Sequence, residues 1–248
     1  MSAAYDTIGT RYSAQRLPDP AIAAMIHAAL GDAQSVVNVG AGTGSYEPRD
    51  RAVTAVEPSA DMIRQRPANA APAVQGEAEA LPFADASFDA AMAILTVHHW
   101  ENKARGMAEL KRVSRGRIVI LTHDPDFRGA WLMDYFPELV SLDAGQMPPL
   151  SAYEGWLGPV SIQPVPVPHE CLDGFLYAFW RRPHAYLDPD VLSGMSSFWK
   201  IGGVADGLAR LAADLQSGAW DTRYRHLMAQ ESADMGYRLV TTISNPPS

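Results

Sequence analysis

A short apolar run that leads directly into three glycines constrains this chain more than any other feature. Residues 36–46 read Val-Val-Asn-Val-Gly-Ala-Gly-Thr-Gly-Ser-Tyr. We predict a strand, a tight glycine turn and a helix in that order, because glycine tolerates positive φ and lets a ligand approach the backbone. A second apolar run, residues 53–57, ends in the acid Glu57, which can bind the two hydroxyls of a ribose. Together these features predict a nucleoside-cofactor site.

The spacing of the glycines indicates which kind of nucleoside the site would bind. Gly40, Gly42 and Gly44 form G-x-G-x-G, whereas the dinucleotide fingerprint is G-x-G-x-x-G with a pyrophosphate at the following helix N-terminus. Glu47 follows the turn and would lie close to such a pyrophosphate, which is unfavourable for a polyanion. The pattern therefore favours a zwitterionic nucleoside without phosphates.

Length and charge exclude several classes of protein. A chain of 248 residues can bury one sizeable core with an appended cap, and its net charge of -8 argues against a nucleic-acid partner. The single cysteine, Cys171, excludes an intramolecular disulfide and a cysteine-rich metal site. Neither a membrane-spanning apolar run nor a signal pattern is found in the sequence. We expect a cytoplasmic enzyme that acts on a small molecule, without a membrane span.

Up to Thr122, apolar runs alternate with segments of helical periodicity. Further helices are predicted over residues 20–30, 59–66 and 102–113, and further strands over 73–75, 88–97 and 117–122. Such alternation predicts a parallel, doubly wound α/β sheet.

Beyond Thr122 the pattern changes. We predict one helix over residues 131–142, a proline-containing loop over 145–150 and an edge strand over 160–167. The aromatic-rich segment 171–220 is predicted to be a helical insertion, with helices at 172–179 and 204–215, before a final strand at 237–243. Insertions at the carboxyl end of such a sheet usually carry substrate contacts.

Three motifs now identify a family resemblance. They are Asn38-Val-Gly-Ala-Gly-Thr-Gly, Val56-Glu-Pro-Ser-Ala-Asp-Met, and Gly76-Glu-Ala-Glu-Ala-Leu-Pro-Phe followed by Ser87-Phe-Asp. In this order and spacing they resemble class I S-adenosylmethionine-dependent methyltransferases, and most nearly the small-molecule subgroup of the ubiquinone and menaquinone C-methyltransferases. The resemblance covers roughly residues 5–123.

The resemblance implies a fold, a reaction and a division of the chain. The fold would be a Rossmann-like seven-stranded sheet, mostly parallel, with an antiparallel last strand and the helical insertion between the last two strands. The reaction would transfer a methyl group from S-adenosyl-L-methionine to an O, N or C nucleophile of a small metabolite, leaving S-adenosyl-L-homocysteine. Residues 1–35 would form an N-terminal helical lid segment, 36–145 the cofactor-binding core, and 146–248 the substrate-binding C-terminal part.

The resemblance also assigns the cofactor contacts. Glu57 would bind the ribose, Glu77 and Ala78 the adenine edge, and the remaining residues the adenine face, the methionine arm and the cofactor carboxylate. Those remaining residues are Tyr12, Arg16, Gly40, Ala41, Gly42, Pro58, Met62, Leu95 and Thr96. Asn38 departs from the family, which usually has an acid there that attracts the cofactor ammonium. The amide keeps the acceptor oxygen but lacks the negative charge. Glu47 is a candidate to supply that charge.

Three histidines are candidates for a general base, and each also has a structural interpretation. His98 and His99 follow the fourth strand; on an extended segment only one would face the cleft, and His99 is the candidate. His123 is either a satisfied histidine or a base oriented by Asp124, and His169 is either a solvated loop residue or a substrate contact. We expect no metal, because no three ligand-type residues recur at zinc spacing.

Two groups in the insertion are candidates for substrate contacts. Its aromatic side chains are expected mainly to pack on the sheet, while a few could cover a planar apolar substrate. Arg181 and Arg182 are either a surface pair or a site for a carboxylate or phosphate.

Two other functions stay open from the sequence. One is an NAD(P)-dependent oxidoreductase on a similar sheet, which the glycine spacing and Glu77-Ala78 disfavour. The other is a methyltransferase-fold protein without transfer activity, which Asn38 allows. The sequence names neither the methyl acceptor nor the oligomeric state.

Overall fold

The structure is a computed structural model that describes residues 16–243. Its centre is a single seven-stranded sheet in the order β3-β2-β1-β4-β5-β7-β6. The strands are β1 (Ser35–Val39), β2 (Ala52–Glu57), β3 (Ala73–Gln75), β4 (Ala90–Ile94), β5 (Ile118–His123), β6 (Val160–Pro168) and β7 (Ser232–Thr242). The first five strands pair in parallel, and β7 runs antiparallel to both β5 and β6. The predicted fold class is thereby confirmed.

Helices cover both faces of the sheet. The α-helices are α1 (Pro20–Ala29), α2 (Ala60–Arg64), α3 (Lys103–Val113), α4 (Leu132–Tyr135), α5 (Glu138–Gln146), α6 (Leu150–Leu157), α7 (Pro189–Ser193), α8 (Val204–Ser217) and α9 (Ala219–Tyr224). Short 3-10 helices lie at Val97–His99, Pro183–Leu187, Ser196–Trp199 and Arg225–Leu227. None of the helices within residues 16–243 is both long enough and apolar enough to cross a bilayer.

Two apolar cores explain why the central strands read as continuous hydrophobic runs. Every residue of β5 is buried, because α1 and the insertion cover one face while α3 and α6 cover the other. Trp131, Trp180 and Trp220 fill the first core, and Met107 and Leu110 belong to the second. Most of the aromatic side chains of the insertion therefore pack as core residues.

The predicted helix after the glycine turn is absent. Residues 40–51 form successive turns and bends between β1 and β2. Gly40, Gly42, Gly44 and Tyr46 all have positive φ, which is incompatible with a right-handed helix, and Pro48 follows. Here the strand-turn-strand prediction was right and the helix was wrong.

The predicted helix over residues 131–142 is also wrong, because it is two helices. Phe136, which precedes Pro137, takes φ -130 and ψ 71 between α4 and α5, as expected for a residue before proline. Helix α5 then continues into the predicted loop, so that only residues 147–149 are non-helical before α6, a helix that was not predicted.

The insertion between β6 and β7 covers residues 169–231, and the predicted segment 171–220 lies within it. Its predicted helix over 204–215 is confirmed as α8, but residues 172–179 form bridges and turns instead of a helix. Long-range polar contacts hold that stretch: Leu172 N donates to Asp19 Oδ2, and Arg16 Nε donates to Asp173 Oδ1. The division of the chain at residues 35 and 145 stays a prediction.

Gly106 is a helical glycine whose replacement should test the packing of α3. A Cβ there would lie 2.5 Å from Cε3 of Trp100, a buried ring. Alanine favours a helix by up to about 1 kcal/mol, but overpacking costs about 1–3 kcal/mol. We expect Gly106→Ala to lower the free energy of unfolding in urea by about 1–2 kcal/mol.

Gly145→Ala is the matched control, because Gly145 also lies in a helix and a Cβ there would meet nothing within 4 Å. It should leave the free energy of unfolding unchanged or raise it. Equal effects of the two substitutions would show that Trp100 does not constrain Gly106.

Candidate active site

A cavity of about 450 Å³ opens at the carboxyl ends of β1, β2 and β4. Such a volume is typical of small-molecule sites. It is lined by all the described residues that were predicted to contact a cofactor: Arg16, Asn38, Gly40, Ala41, Gly42, Glu57, Pro58, Met62, Glu77, Ala78, Leu95 and Thr96. Tyr12 lies outside the described residues. We call this space the first cavity.

The glycine turn lets the backbone form the floor of the first cavity. Gly40 has φ 69, and a Cβ there would overlap the side chain of Thr96. A Cβ on Gly42 would meet only the Met62 methyl carbon, at 3.7 Å. A side chain at either position would therefore strain the backbone, and at Gly40 it would also displace the fourth-strand edge of the cavity.

Backbone amides orient the Glu57 carboxylate at the end of β2. One oxygen accepts from Gly42 N at 2.8 Å and the other from Ser59 N at 3.0 Å. Burial raises the pKa of Glu57, and the two amide hydrogen bonds oppose that shift. The carboxylate is thus held against the glycine turn, with further lone pairs for ligand hydroxyls.

Asn38 presents an unused acceptor. Its Nδ2 donates to Glu47 Oε1 at 3.1 Å, which fixes the orientation of the amide because a carboxylate only accepts. Its Oδ1 is buried and has no hydrogen-bond partner. A buried polar atom without a partner on the wall of a cavity points to a missing donor.

Glu47 cannot replace the missing charge, because a buried ion pair engages it. Arg66 Nη2 donates to both oxygens of Glu47, at 2.7 and 2.8 Å, and both side chains are nearly inaccessible to solvent. Arg66 also donates to the carbonyls of Gly42 and Ala71. The pair therefore joins the glycine turn to the segment before β3.

A second, smaller cavity of about 80 Å³ adjoins the first. Arg16, Leu95 and His99 line both. The other lining residues come from the turn after β4, from β5, from α5 and its C-terminal end, from the insertion and from β7: His98, His123, Asp143, Met147, Phe175, Leu176, Tyr177, Gly194, Met195, Ser196, Ser197 and Tyr237.

Both neighbouring histidines face this second cavity, so the expectation that only one would face the cleft was wrong. They lie in the 3-10 turn Val97–His99 rather than on an extended segment, and their rings are 3.9 Å apart. Burial lowers the pKa of His99 to about 4 and that of His98 well below its usual value. His99 is nevertheless reachable by solvent, because its ring lines the cavities. Both rings are neutral at pH 7.

His123 has a different carboxylate partner from the one predicted. Its Nε2 lies 3.2 Å from the Met235 carbonyl oxygen and must therefore carry the proton. Its Nδ1 has no hydrogen-bond partner and lies 3.6 Å from Oδ2 of Asp143, whereas Asp124 pairs with Arg238 at 3.7 Å. Burial lowers the pKa of His123 to about 4 and raises that of Asp143 to about 6.

Arg16 joins the N-terminal segment to the insertion. Its Nε donates to Asp173 Oδ1 at 2.6 Å, and Asp173 is fully buried. Tyr46, from the glycine turn, donates to the other oxygen of Asp173 at 2.9 Å. Burial, with the Asp173 carboxylate next in importance, raises the pKa of Tyr46 and keeps it a donor.

The remaining candidates lie away from these cavities. His169 is 3.1 Å from Glu231 and belongs to the lining of neither cavity. Arg181 donates to the Gln230 carbonyl, and Arg182 to that of Cys171. No group of three or more His, Cys, Asp or Glu side chains that could hold a metal ion is found in the described part of the chain.

Comparison with known proteins identifies the family. Residues 37–120 match the methyltransferase domain family. A crystal structure of a methyltransferase from an antibiotic biosynthesis pathway of Anabaena variabilis is 34% identical, with a TM-score of 0.86 over 93% of this chain and 99% of that one. The chain belongs to the class I S-adenosylmethionine-dependent methyltransferases.

Two further relatives agree with this family at a coarser level. A malonyl-[acyl-carrier protein] O-methyltransferase of Erwinia pyrifoliae is 38% identical over 104 residues, 39% of this chain. The match spans 40% of that relative's length. The Haemonchus contortus phosphoethanolamine N-methyltransferase 2, solved with S-adenosyl-L-methionine, shares the fold at 14% identity, with a TM-score of 0.53 over 90% of this chain and 52% of that one.

The first cavity of this methyltransferase fits the cofactor that its family implies. Asn38 Oδ1 offers an acceptor for an ammonium, Glu57 one for hydroxyls, and Gly42 leaves the floor open. The residues predicted to contact the cofactor line one cavity because most of them follow strand ends. Asp143 was not predicted, because only the packing of α5 brings it to His123, and Tyr177 was predicted only as one of the insertion's aromatic side chains.

Asn38→Asp would restore the acid that is usual in the family, yet we expect it to destabilise this methyltransferase. The introduced carboxyl would face Glu47 in place of a donated hydrogen bond. Loss of that bond and like-charge repulsion should lower the free energy of unfolding by about 2–4 kcal/mol near pH 8. Near pH 5 protonation of the introduced carboxyl should reduce the loss, because the like-charge repulsion then disappears. Urea denaturation at both pH values measures the effect.

Asn102→Asp is the control, because Asn102 caps α3 by accepting from Arg105 N, a role that aspartate fills equally well. It should change stability little at either pH. A variant at position 38 as stable as the wild type would contradict the role given to the Asn38–Glu47 contact.

Proposed function

We propose that this methyltransferase binds S-adenosyl-L-methionine in the first cavity and transfers its methyl group to an O, N or C nucleophile of a small metabolite in the second. The observation that carries the proposal is the contact between the two cavities, which share Arg16, Leu95 and His99. A cofactor space and an acceptor space must meet where the methyl group passes between them.

The proposed cofactor contacts follow from the donors and acceptors of the first cavity. Glu57 accepts from the ribose hydroxyls, and Asn38 Oδ1 accepts from the ammonium group. Pro58 and Met62 flank the adenine, and Glu77 and Ala78 lie at its edge. Leu95 and Thr96 line the methionine arm, with Gly40, Ala41 and Gly42 beneath it. All line the same cavity.

Arg16 is proposed to lie near the cofactor carboxylate, as the family resemblance suggests. Its guanidinium is also held by Asp173, so any second anion would share a charge that is already paired. This shared position makes Arg16 a link between cofactor binding and the insertion.

When bound, the cofactor supplies an electrophilic methyl group on a sulfonium. The protein then has to align the acceptor, exclude water and receive a proton where the acceptor loses one. His99 is the proposed catalytic histidine, because its neutral ring faces both cavities. His123 has its Nε2 bound to a carbonyl and His169 lies outside both cavities, so neither is given a catalytic contact.

Calorimetric titration with S-adenosyl-L-methionine, S-adenosyl-L-homocysteine and NAD tests the cofactor. We expect both S-adenosyl compounds to bind and NAD not to bind. The reverse result would favour the oxidoreductase alternative. Cofactor binding without turnover over a broad acceptor screen would favour a methyltransferase-fold protein without transfer activity.

Glu57→Gln should weaken binding of S-adenosyl-L-homocysteine. The amide accepts less strongly than the carboxylate, and hydrogen bonds to a charged acceptor contribute about 1.5–3 kcal/mol each. We expect the dissociation constant to rise at least about tenfold. Glu154→Gln, at an exposed position on α6, removes the same charge and should leave it unchanged. Unchanged affinity in Glu57→Gln would show that the ribose is held elsewhere.

His99→Ala tests the proposed catalytic histidine on the best acceptor from the screen. We expect kcat to fall on the order of a hundredfold, while the dissociation constant of the cofactor stays the same. His226→Ala, at an exposed histidine in the insertion, should keep the wild-type rate. An unchanged rate in His99→Ala would remove His99 from the reaction.

A further inference from the structure

A buried carboxyl group at the second cavity has no role in the function proposed above. Asp143 is on α5, has only 4% of its surface exposed, and lines the cavity that adjoins the cofactor space. An aspartate is almost never buried to this extent without a compensating partner. The groups around it therefore decide what this cavity can bind.

The immediate neighbours of Asp143 hold it in place without neutralising its charge. Tyr177 donates its hydroxyl to Oδ2 at 3.3 Å. His123 Nδ1 lies 3.6 Å from the same oxygen, but the proton of that ring is on Nε2, which donates to Met235. Burial holds the pKa of His123 near 4, so the ring offers Asp143 a lone pair rather than a positive charge at neutral pH.

The rest of the cavity lining supplies little positive charge. His98 and His99 are neutral at pH 7, because burial lowers both of their pKa values. Among the lining residues within 16–243, Arg16 is the only arginine or lysine, and it is paired with the buried Asp173. Arg128 acts on Asp143 only as a distant charge, and Lys200 donates to Gln146 outside the lining. Arg181 and Arg182 were candidates to bind an anionic substrate, but they do not line this cavity. They donate to the carbonyls of Gln230 and Cys171.

Aromatic rings form part of the apolar lining, beside Leu95, Met147, Leu176 and Met195. Phe175 and Tyr237 have ring centroids 4.5 Å apart, and Tyr177 stacks on the His123 ring at 5.1 Å. Burial raises the pKa of Tyr177 and of Tyr237 well above the usual value, so both hydroxyls stay protonated. Such walls suit a small planar ring.

We propose that the second cavity selects an uncharged acceptor whose hydroxyl or amine hydrogen donates to the Asp143 carboxylate, and that it excludes acceptors bearing a carboxylate. This rests on the proposed function, because it concerns the acceptor side of the same site. A carboxylate acceptor would place a second negative charge beside Asp143, where no unpaired cation is found among the lining residues that the structure describes. A hydroxyl or amine instead satisfies the buried carboxylate.

Asp143 thereby becomes the residue that determines specificity and receives the acceptor's hydrogen bond. His123 and Tyr177 are positioning residues that fix the orientation of the carboxyl group.

Four fluorinated probes of similar size separate the contribution of the donated hydrogen bond from that of the negative charge. They are para-fluorophenol, para-fluoroaniline, para-fluoroanisole, which lacks a donor, and para-fluorobenzoate, which carries a charge. Their binding is measured by fluorine NMR line broadening, with and without S-adenosyl-L-homocysteine. Near pH 8 we expect the phenol or the aniline to bind at least about tenfold more tightly than the anisole and the benzoate. The better of the two identifies whether oxygen or nitrogen is preferred.

Lowering the pH gives an independent readout. The pKa of Asp143 is raised to about 6, so the carboxyl is ionised near pH 8 and mostly protonated near pH 5. Benzoate should therefore bind more tightly near pH 5, while the phenol should bind less tightly, because a protonated carboxyl is a weaker acceptor than a carboxylate. His98, His99, His123, Tyr177 and Tyr237 keep one protonation state over this range, because their pKa values lie below or above it.

Asp143→Asn should weaken the preferred probe on the order of tenfold, and it should abolish the pH dependence of benzoate binding. Asp206→Asn removes the same charge at an exposed position of α8 and should behave as the wild type. Tyr177→Phe keeps the carboxylate, so it should still discriminate against benzoate. This variant, with the wild-type ranking, tests the proposal even if Asp143→Asn fails to fold.

Benzoate or anisole binding as tightly as the phenol and the aniline to the wild type would overturn the proposal. So would an unchanged ranking in a folded Asp143→Asn protein. Failure of the protein to bind S-adenosyl-L-homocysteine would instead contradict the proposed function, because the probe ranking is measured without the cofactor as well.

Discussion

The buried ion pair between Glu47 and Arg66 is the contact on which the cofactor side of the fold depends. No helix supports the chain between β1 and β2, so polar contacts define that loop. Arg66 donates to the Gly42 carbonyl, and Glu47 accepts from the Asn38 amide. Because breaking a buried pair leaves an uncompensated charge, this arrangement resists substitution at either partner.

The acceptor side depends on a second buried carboxylate, that of Asp173. Three separate pieces of the chain meet there: Arg16 before α1, Tyr46 in the glycine turn, and the insertion that carries Asp173 itself. The insertion is thus fastened to the cofactor cavity by charge-assisted hydrogen bonds as well as by its aromatic core. A change in either cavity can reach the other through these contacts.

The first half of this chain could be predicted from sequence because its signals are local. Apolar runs, glycines with positive φ and the cap at Ser59 are set by neighbours a few residues apart. Twelve described residues that were predicted to contact the cofactor line one cavity as a result. The second half depends on distant contacts. Asp143 meets Tyr177 and His123 only through packing, and residues 172–179 lose a predicted helix to contacts with Asp19 and Arg16.

The order of the last strands has a consequence for how the chain folds. Among the described strands, β6 pairs only with β7, and β7 lies between β6 and β5 although it follows both in sequence. As the chain leaves the ribosome, β6 has no neighbour to pair with until the whole insertion and the final strand have been synthesised. Until then the edges of β5 and β6 are both unpaired. Unpaired strand edges favour aggregation, so the nascent chain needs protection during this interval.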